Sequence, residues 1–198
     1  PPMPPPSPAP GPRRTLRLAG EERRDQIVRE ALACFASRGY SGTTTRMIAL
    51  RVGITEAALY RYFPSKQSLY AEIIDRKMAG PDLIDALRAS ADARDDLGLF
   101  RELARAILER GQRDPEFLRL LHFTALEGHE LAEPFFAARV RRMREFLTRY
   151  VAGRIADGAF RPMDPVLAAR AFLGMLQDHL AMRVVFGQSN VYPQPLEE

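Results

Sequence analysis

The side chains with the most distinctive chemistry in this sequence lie between Glu56 and Lys66. An arginine such as Arg61 can pair with the edge of a guanine, the carboxylate of Glu56 can accept a hydrogen bond from cytosine, and the methyl group of Ala57 can pack on thymine. Lys66 lies at the predicted start of a helix, where its ammonium group and nearby backbone N–H groups can meet a phosphate, with the Tyr62 hydroxyl on the same side. Together these residue types favour contact with double-stranded DNA.

Two short helices joined by a tight turn are predicted to position these side chains. The three threonines at residues 43–45 can cap the first helix, and Gly53 can adopt the positive φ that ends it. Thr55 can cap the second helix, which Pro64 stops. The apolar surface of the first helix is supplied by Met47, Ile48, Leu50 and Val52. This pattern predicts a helix-turn-helix motif, whose second helix usually enters the major groove.

A larger set of residues within roughly residues 22–74 has a recognisable spacing. It comprises Gly39-Tyr40, Thr43-Thr44, Ile48-Ala49, Gly53-Ile54 and Leu59-Tyr60-x-Tyr62-Phe63-x-x-Lys66-x-x-Leu69. The set resembles the DNA-binding region of the tetracycline-repressor (TetR) family of bacterial regulators. Glu56 and Ala57 stand where members of that family often carry Lys and Gly.

The resemblance implies roles for individual residues. Contacts with the sugar-phosphate backbone are implied for Thr45, Tyr60, Tyr62 and Lys66. Positions at or near the base-facing side of the recognition helix are implied for Thr55, Glu56, Ala57 and Arg61. Arg46 is predicted to contact DNA with them.

Positive charge is concentrated around this motif. The chain of 198 residues has a formal net charge of +4, yet residues 1–66 hold 11 basic and 5 acidic side chains, a net of +6. Such an asymmetry is expected of a nucleic-acid-binding head joined to a neutral body. The single cysteine excludes an internal disulfide, and no apolar run is long enough to span a membrane, so we expect a cytoplasmic protein.

The rest of the chain is predicted to be helical, because no segment shows the alternating pattern of a strand. We therefore expect an all-α protein with a disordered Pro-rich and basic tail at residues 1–19 and a helix-turn-helix domain at residues 20–66. A C-terminal domain for ligand binding and dimerisation is predicted at residues 67–190, followed by a tail at residues 191–198. The basic residues of the first tail can either form an arm that reaches DNA or remain a solvated segment.

The last predicted helix, residues 165–186, is apolar on nearly all sides. Such a helix has to be covered on all sides, which indicates a subunit interface. The resemblance implies the same arrangement, in which the last two helices of each subunit form a four-helix dimer interface. We therefore predict a homodimer through residues 134–157 and 165–186, and expect Leu176→Asp to give monomers.

An apolar cavity is predicted inside the C-terminal domain, because ligand sites are mostly apolar with few polar anchors. The residues expected to line it are Leu103, Ile107, Leu121, His122, Met143 and Leu147, with His179 as a further polar candidate. The alternative is a solid core made of the same residues, with structural histidines. The sequence contains no Gly-rich phosphate loop, serine elbow or zinc-binding Cys pair, so we expect no enzyme, metal or cofactor.

These patterns predict a ligand-responsive transcriptional regulator, which we expect to be a repressor. It would bind a palindromic operator as a dimer and be released by a small-molecule effector. One alternative is a constitutive or protein-controlled DNA-binding protein of the same fold. Another is a helical enzyme or adaptor that shares only the head.

Overall fold

The computed structural model describes residues 12–127 and 139–188, with side chains from Gly20 onwards. The described helices are α1 (Pro12–Arg38), α2 (Thr45–Val52), α3 (Glu56–Tyr62), α4 (Lys66–Met78), α5 (Leu83–Asp92), α6 (Asp96–Arg113), α7 (Pro115–Leu126), α8 (Arg141–Ala156) and α9 (Pro165–Leu180). A π-helical turn, Ala181–Val185, continues α9. The described part of the chain contains no strand, which confirms the all-α prediction. None of its helices is both long and apolar enough to cross a bilayer.

The first helix begins earlier than the sequence analysis predicts. Its first residue is Pro12, so residues 12–19, which we assigned to a disordered tail, are helical. A proline is well tolerated at the first position of a helix, where its missing N–H has no intrahelical partner anyway. Arginine, leucine and alanine, which dominate the next seven residues, are good helix formers.

The predicted caps of the helix-turn-helix are confirmed. The Thr44 hydroxyl accepts a hydrogen bond of 3.2 Å from the N–H of Met47 at the start of α2. Gly53 ends that helix with a φ of 74°, a conformation that costs glycine little. Thr55 caps α3 through a 3.1 Å hydrogen bond from the N–H of Ala58. The turn between the helices is therefore determined by local sequence.

The core of the head extends beyond the predicted domain boundary at Lys66. It is built from α1, α2 and α3, but it also includes Leu69, Tyr70 and Ile73 of α4. Phe117 and Leu120 of α7 complete it, and both are buried. The head and the first part of the C-terminal domain thus share one hydrophobic core.

A second core joins α5, α6, α8 and α9. Its buried residues are Leu87, Leu99, Leu103, Leu147, Ala169 and Leu173. Asp96 at the start of α6 pairs with Arg154 of α8 at 2.8 Å and accepts a 2.6 Å hydrogen bond from Tyr150. This packing uses only one side of α9: on the other side Val166, Leu167 and Met175 are 51%, 62% and 65% exposed.

Candidate nucleic-acid interface and C-terminal cavity

The outer surface of the helix-turn-helix brings several of the predicted DNA-contacting residues together. Thr55, Ala57 and Arg61 are exposed along α3, and Arg46 is exposed at the start of α2. Neither Arg46 nor Arg61 makes a hydrogen bond or an ion pair with any residue that the structure describes. Their guanidinium groups are therefore available to an external partner.

Other arginines of the head are engaged within it. Arg24 donates to the carbonyl of Tyr62 at 3.0 Å and pairs with Glu72 at 2.9 Å, while its guanidinium lies 4.2 Å from the centre of the Phe63 ring. Tyr62 itself is half-buried and packs against the head core. This side chain, which is predicted to contact phosphate, therefore also contributes to the interior. Exposure thus separates Arg46 and Arg61 from arginines that stabilise the fold.

Thr45, Glu56 and Tyr60 form a hydrogen-bonded chain between α2 and α3. The Thr45 hydroxyl donates to the Glu56 carboxylate and lies 3.2 Å from the Tyr60 hydroxyl, which is then the donor to Thr45. Thr45 is only 9% exposed. The Thr45 hydroxyl thus orients Glu56 and Tyr60, the latter 45% exposed. The contact of Thr45 with the sugar-phosphate backbone stays a prediction.

Lys66 makes several contacts inside the head. Its ammonium group donates to the carbonyls of Tyr40 and Thr43, both at 2.9 Å, and lies 4.1 Å from the centre of the Tyr40 ring. Burial lowers the pKa of Lys66, with a smaller opposing effect from Glu127. The ammonium group holds the segment between α1 and α2. The phosphate contact of Lys66 stays a prediction beside this structural role.

Glu127, just beyond the end of α7, is a residue that sequence reasoning missed. Its carboxylate accepts hydrogen bonds from the backbone N–H groups of Tyr40 at 3.0 Å and Ser41 at 3.3 Å. Within α7, three residues before Glu127, Thr124 donates to the carbonyl of Leu120. The buried hydroxyl of Tyr70 is therefore the donor in its 2.5 Å contact with Thr124. No local pattern predicts these contacts, because their partners are more than 50 residues away in sequence.

A cavity of about 260 Å³ lies in the C-terminal part of the protein, between the end of α4 and helices α5 to α9. Ile107, Leu121 and Met143, three of the predicted residues, line it. Leu103 and Leu147 do not, because both are fully buried in the second core.

The two histidines considered for the cavity lie outside its lining. His122 is half-buried, and its Nδ1 atom lies 2.9 Å from the carbonyl oxygen of Leu118 on its own helix. Burial, followed by the charge of Arg183, lowers the pKa of His179. Residues of the lining that sequence reasoning missed include Arg110, Arg139 and Gln177.

No group of His, Cys, Asp and Glu side chains suited to a metal ion occurs in residues 12–127 and 139–188. The single cysteine, Cys34, is buried in the head core, and burial raises the pKa of its thiol. Cys34 is therefore a residue of the hydrophobic core, in keeping with its position on the apolar side of α1.

A compact helix-turn-helix head that shares its core with a cavity-containing helical body defines a helical DNA-binding regulator. The chain belongs to the TetR family: residues 27–73 match the model of bacterial regulatory proteins of the tetR family, and residues 99–198 match the AefR-like transcriptional repressor C-terminal domain. It is a transcriptional regulator of this family.

Individual relatives are consistent with this assignment. The chain is 33% identical to the HTH-type transcriptional activator FasR of Mycolicibacterium smegmatis over 71% of its own length and 62% of that protein. It is 30% identical to the nucleoid occlusion factor SlmA of Vibrio campbellii over 80% of its own length and 82% of that protein. A solved structure of a HlyIIR mutant superposes on this chain with a TM-score of 0.67 at 18% sequence identity, over 89% of this chain and 93% of the other. This similarity shows a common fold.

Proposed function

We propose that the protein is a homodimeric, ligand-responsive repressor that binds a palindromic operator and releases it when an effector occupies the C-terminal cavity. The observation that carries this proposal is the course of α4. Its first residue, Lys66, is anchored in the head, and its last residue, Met78, lines the cavity. An effector that prefers one position of this helix would change DNA affinity, and DNA would change effector affinity by the same factor.

Dimerisation is supported by the exposed side of α9. A palindromic site requires two heads related by a two-fold axis. Val166, Leu167 and Met175 give this side large apolar groups, and the exposed residue Ala171 and Gly174 between them allow close approach of another helix. A side chain added at Gly174 would meet no other atom of the same subunit within 4 Å.

Selection of DNA from a random pool would test the proposal. Purified protein should enrich an inverted repeat whose half-sites lie about one helical turn, roughly 34–36 Å, or a multiple of it apart. An enriched site without two-fold symmetry would contradict binding as a symmetric dimer. Absence of any enriched sequence would contradict binding to a specific operator.

Arg61 is expected to read a base, since it is exposed on α3 and unengaged within the described structure. Arg61→Ala should relax preference at one or two positions of the selected site, by about 1–3 kcal/mol for a well-made pair with guanine. Binding of wild type and variant to single-base variants of the site measures this effect. Equal weakening on every sequence would instead identify Arg61 as a phosphate contact.

A constitutive or protein-controlled regulator of the same fold is the second candidate. It is favoured by the similarity to SlmA, which is named as a nucleoid occlusion factor. Two measurements distinguish the candidates. Mass spectrometry of a denatured extract of the purified protein detects a co-purified small molecule, and DNA titration measures affinity with and without it. A co-purified small molecule whose removal changes DNA affinity supports effector control.

A further inference from the structure

Two arginines converge on the end of α4 at the edge of the cavity. Arg110 of α6 donates to the carbonyl of Lys77 at 2.5 Å, and Arg139, two residues before α8, donates to the carbonyl of Met78 at 2.8 Å. Both arginines line the cavity. Their guanidinium groups therefore lie at adjacent carbonyls, each with further N–H donors beyond the single hydrogen bond to α4.

The carboxylates of the cavity lining do not neutralise these two arginines. Asp82 pairs with Arg142 at 2.8 Å and caps α5, and Asp114 pairs with Lys77 at 2.5 Å and caps α7. Among the residues described, neither Arg110 nor Arg139 forms an ion pair. The described lining of the cavity thus carries two positive charges that are not engaged in ion pairs.

The electrostatic state of Arg110 agrees with this imbalance. Burial, and after it the charge of Arg139, lowers the pKa of the Arg110 guanidinium, while Asp114 acts in the opposite direction. Two like charges that repel each other in a partly desolvated site are stabilised by an anion placed between them. Planar guanidinium groups also match the geometry of a carboxylate.

The remainder of the lining is mostly apolar. It includes Leu83, Ile84, Ile107, Leu121, Met143 and Leu173. The volume of about 260 Å³ is close to the lower end of the roughly 300–1,000 Å³ typical of small-molecule sites. A ligand that fills it should have a small and mainly apolar body.

We propose that the effector is an anionic amphiphile whose carboxylate binds between Arg110 and Arg139 and whose apolar body occupies the cavity. This inference rests on the proposed function, because it names the chemical class of the effector at the same site. The anion would bind through the further N–H donors of the two arginines, whose remaining hydrogen bonds hold the end of α4. A ligand at these residues therefore acts directly on the contacts that hold the helix leading to the head.

A simpler explanation is that both arginines only cap α4, since cations are favourable near the negative end of a helix. The two explanations predict different ligand preferences. Helix capping alone gives the cavity no preference for negative charge, whereas an anion site favours a carboxylate over a neutral molecule of the same length.

Calorimetric titration of the full-length protein with octanoate, octanamide and octylamine tests the proposal. Octanoate should bind at least tenfold more tightly than octanamide, and octylamine should bind more weakly than either. Arg110→Gln and Arg139→Gln should each remove most of that tenfold preference. Arg113→Gln is the matched control: it changes another arginine of α6, one that is exposed, pairs with Glu109 and does not line the cavity, and it should retain the preference.

The test includes carboxylates of six to twelve carbons, so that a mismatch of length is not mistaken for a lack of charge preference. Equal affinity for the carboxylate and the amide, or no binding of any member of the series, would overturn the proposal. Thermal unfolding of each variant without ligand separates a damaged fold from a missing anion site. Arg110→Lys keeps the charge and should preserve part of the preference if the variant with Gln loses it.

Binding to the selected DNA is measured in parallel, so that this proposal and the broader one can fail separately. If the neutral amide releases DNA as well as octanoate does, effector control stands and the anion site is refuted. If octanoate binds with the expected preference but leaves DNA affinity unchanged, the anion site stands and its link to the head is refuted.

Discussion

Leu167→Asp is expected to convert the protein from a dimer into a monomer and to weaken binding to a palindromic site by about 100-fold or more. Leu167 is 62% exposed on the side of α9 that the subunit leaves uncovered. A carboxylate at this position would be buried without a partner in a dimer, whereas it stays solvated in a monomer. A single head then retains only half of the contacts with the operator.

Light scattering at micromolar concentration and titration of the selected DNA measure the two effects. Leu97→Asp is a suitable control, because Leu97 is 66% exposed on α6, outside the proposed interface, and its substitution introduces the same charge. That variant should remain dimeric. A dimeric Leu167→Asp protein with unchanged operator affinity would contradict the assignment of α9 to the interface.

The sequence-based choice of Leu176 for this test is less suitable. Leu176 is half-buried within the subunit, since it lies three residues after Leu173 and four before Leu180 on one side of the helix, and both of these are buried. A charge there would destabilise the subunit itself. Loss of the dimer in Leu176→Asp would then not distinguish a disrupted interface from a destabilised subunit.

Lys66→Met is expected to lower the free energy of unfolding by about 2–3 kcal/mol, with little change in the salt dependence of DNA binding. The methionine keeps most of the apolar stem but cannot donate to the carbonyls of Tyr40 and Thr43. Thr43 is fully buried, so water cannot readily replace the missing hydrogen bond. Urea unfolding gives the free energy, and DNA titration over a range of salt concentrations gives the slope.

Arg46→Ala is expected to have the opposite effects, namely unchanged stability and a smaller salt dependence of DNA binding. Its side chain is exposed and has no partner within the described structure, so its removal should leave stability within about 0.5 kcal/mol. It should reduce the salt slope by about 1 for each phosphate that the arginine neutralises. If Lys66→Met instead reduced the salt slope with no loss of stability, the result would support the phosphate role predicted from the sequence over the structural role.

The sequence predicts well those features that depend on near neighbours in the chain. Thr44, Gly53 and Thr55 delimit their helices as expected, because a cap or a left-handed turn is decided within about four residues. The exposed positions of Arg46 and Arg61 also follow from helical spacing around the buried residues Ile48 and Leu59.

Roles that depend on distant partners were not predictable in the same way. Lys66 has the charge and position of a phosphate ligand, and only the packing of α4 against the segment before α2 turns its ammonium group inward. Thr45 and Glu56 are similar cases, since their hydrogen bond depends on the angle between α2 and α3. In the cavity, Ile107 and Leu103 have the same apolar character, and only the packing of α6 decides which of them lines the void.

The shared core of the head and α7 limits how this protein can be recombined with others. A chimeric biosensor made by joining residues 1–66 to the body of another regulator would separate the head from Phe117 and Leu120, and from the Glu127 carboxylate that holds its first loop. The recipient body would have to present matching side chains on its own equivalent of α7. A more workable graft transfers only the exposed residues of α2 and α3 onto the recipient's head, because these side chains lie outside the core and are the ones that we propose to contact DNA.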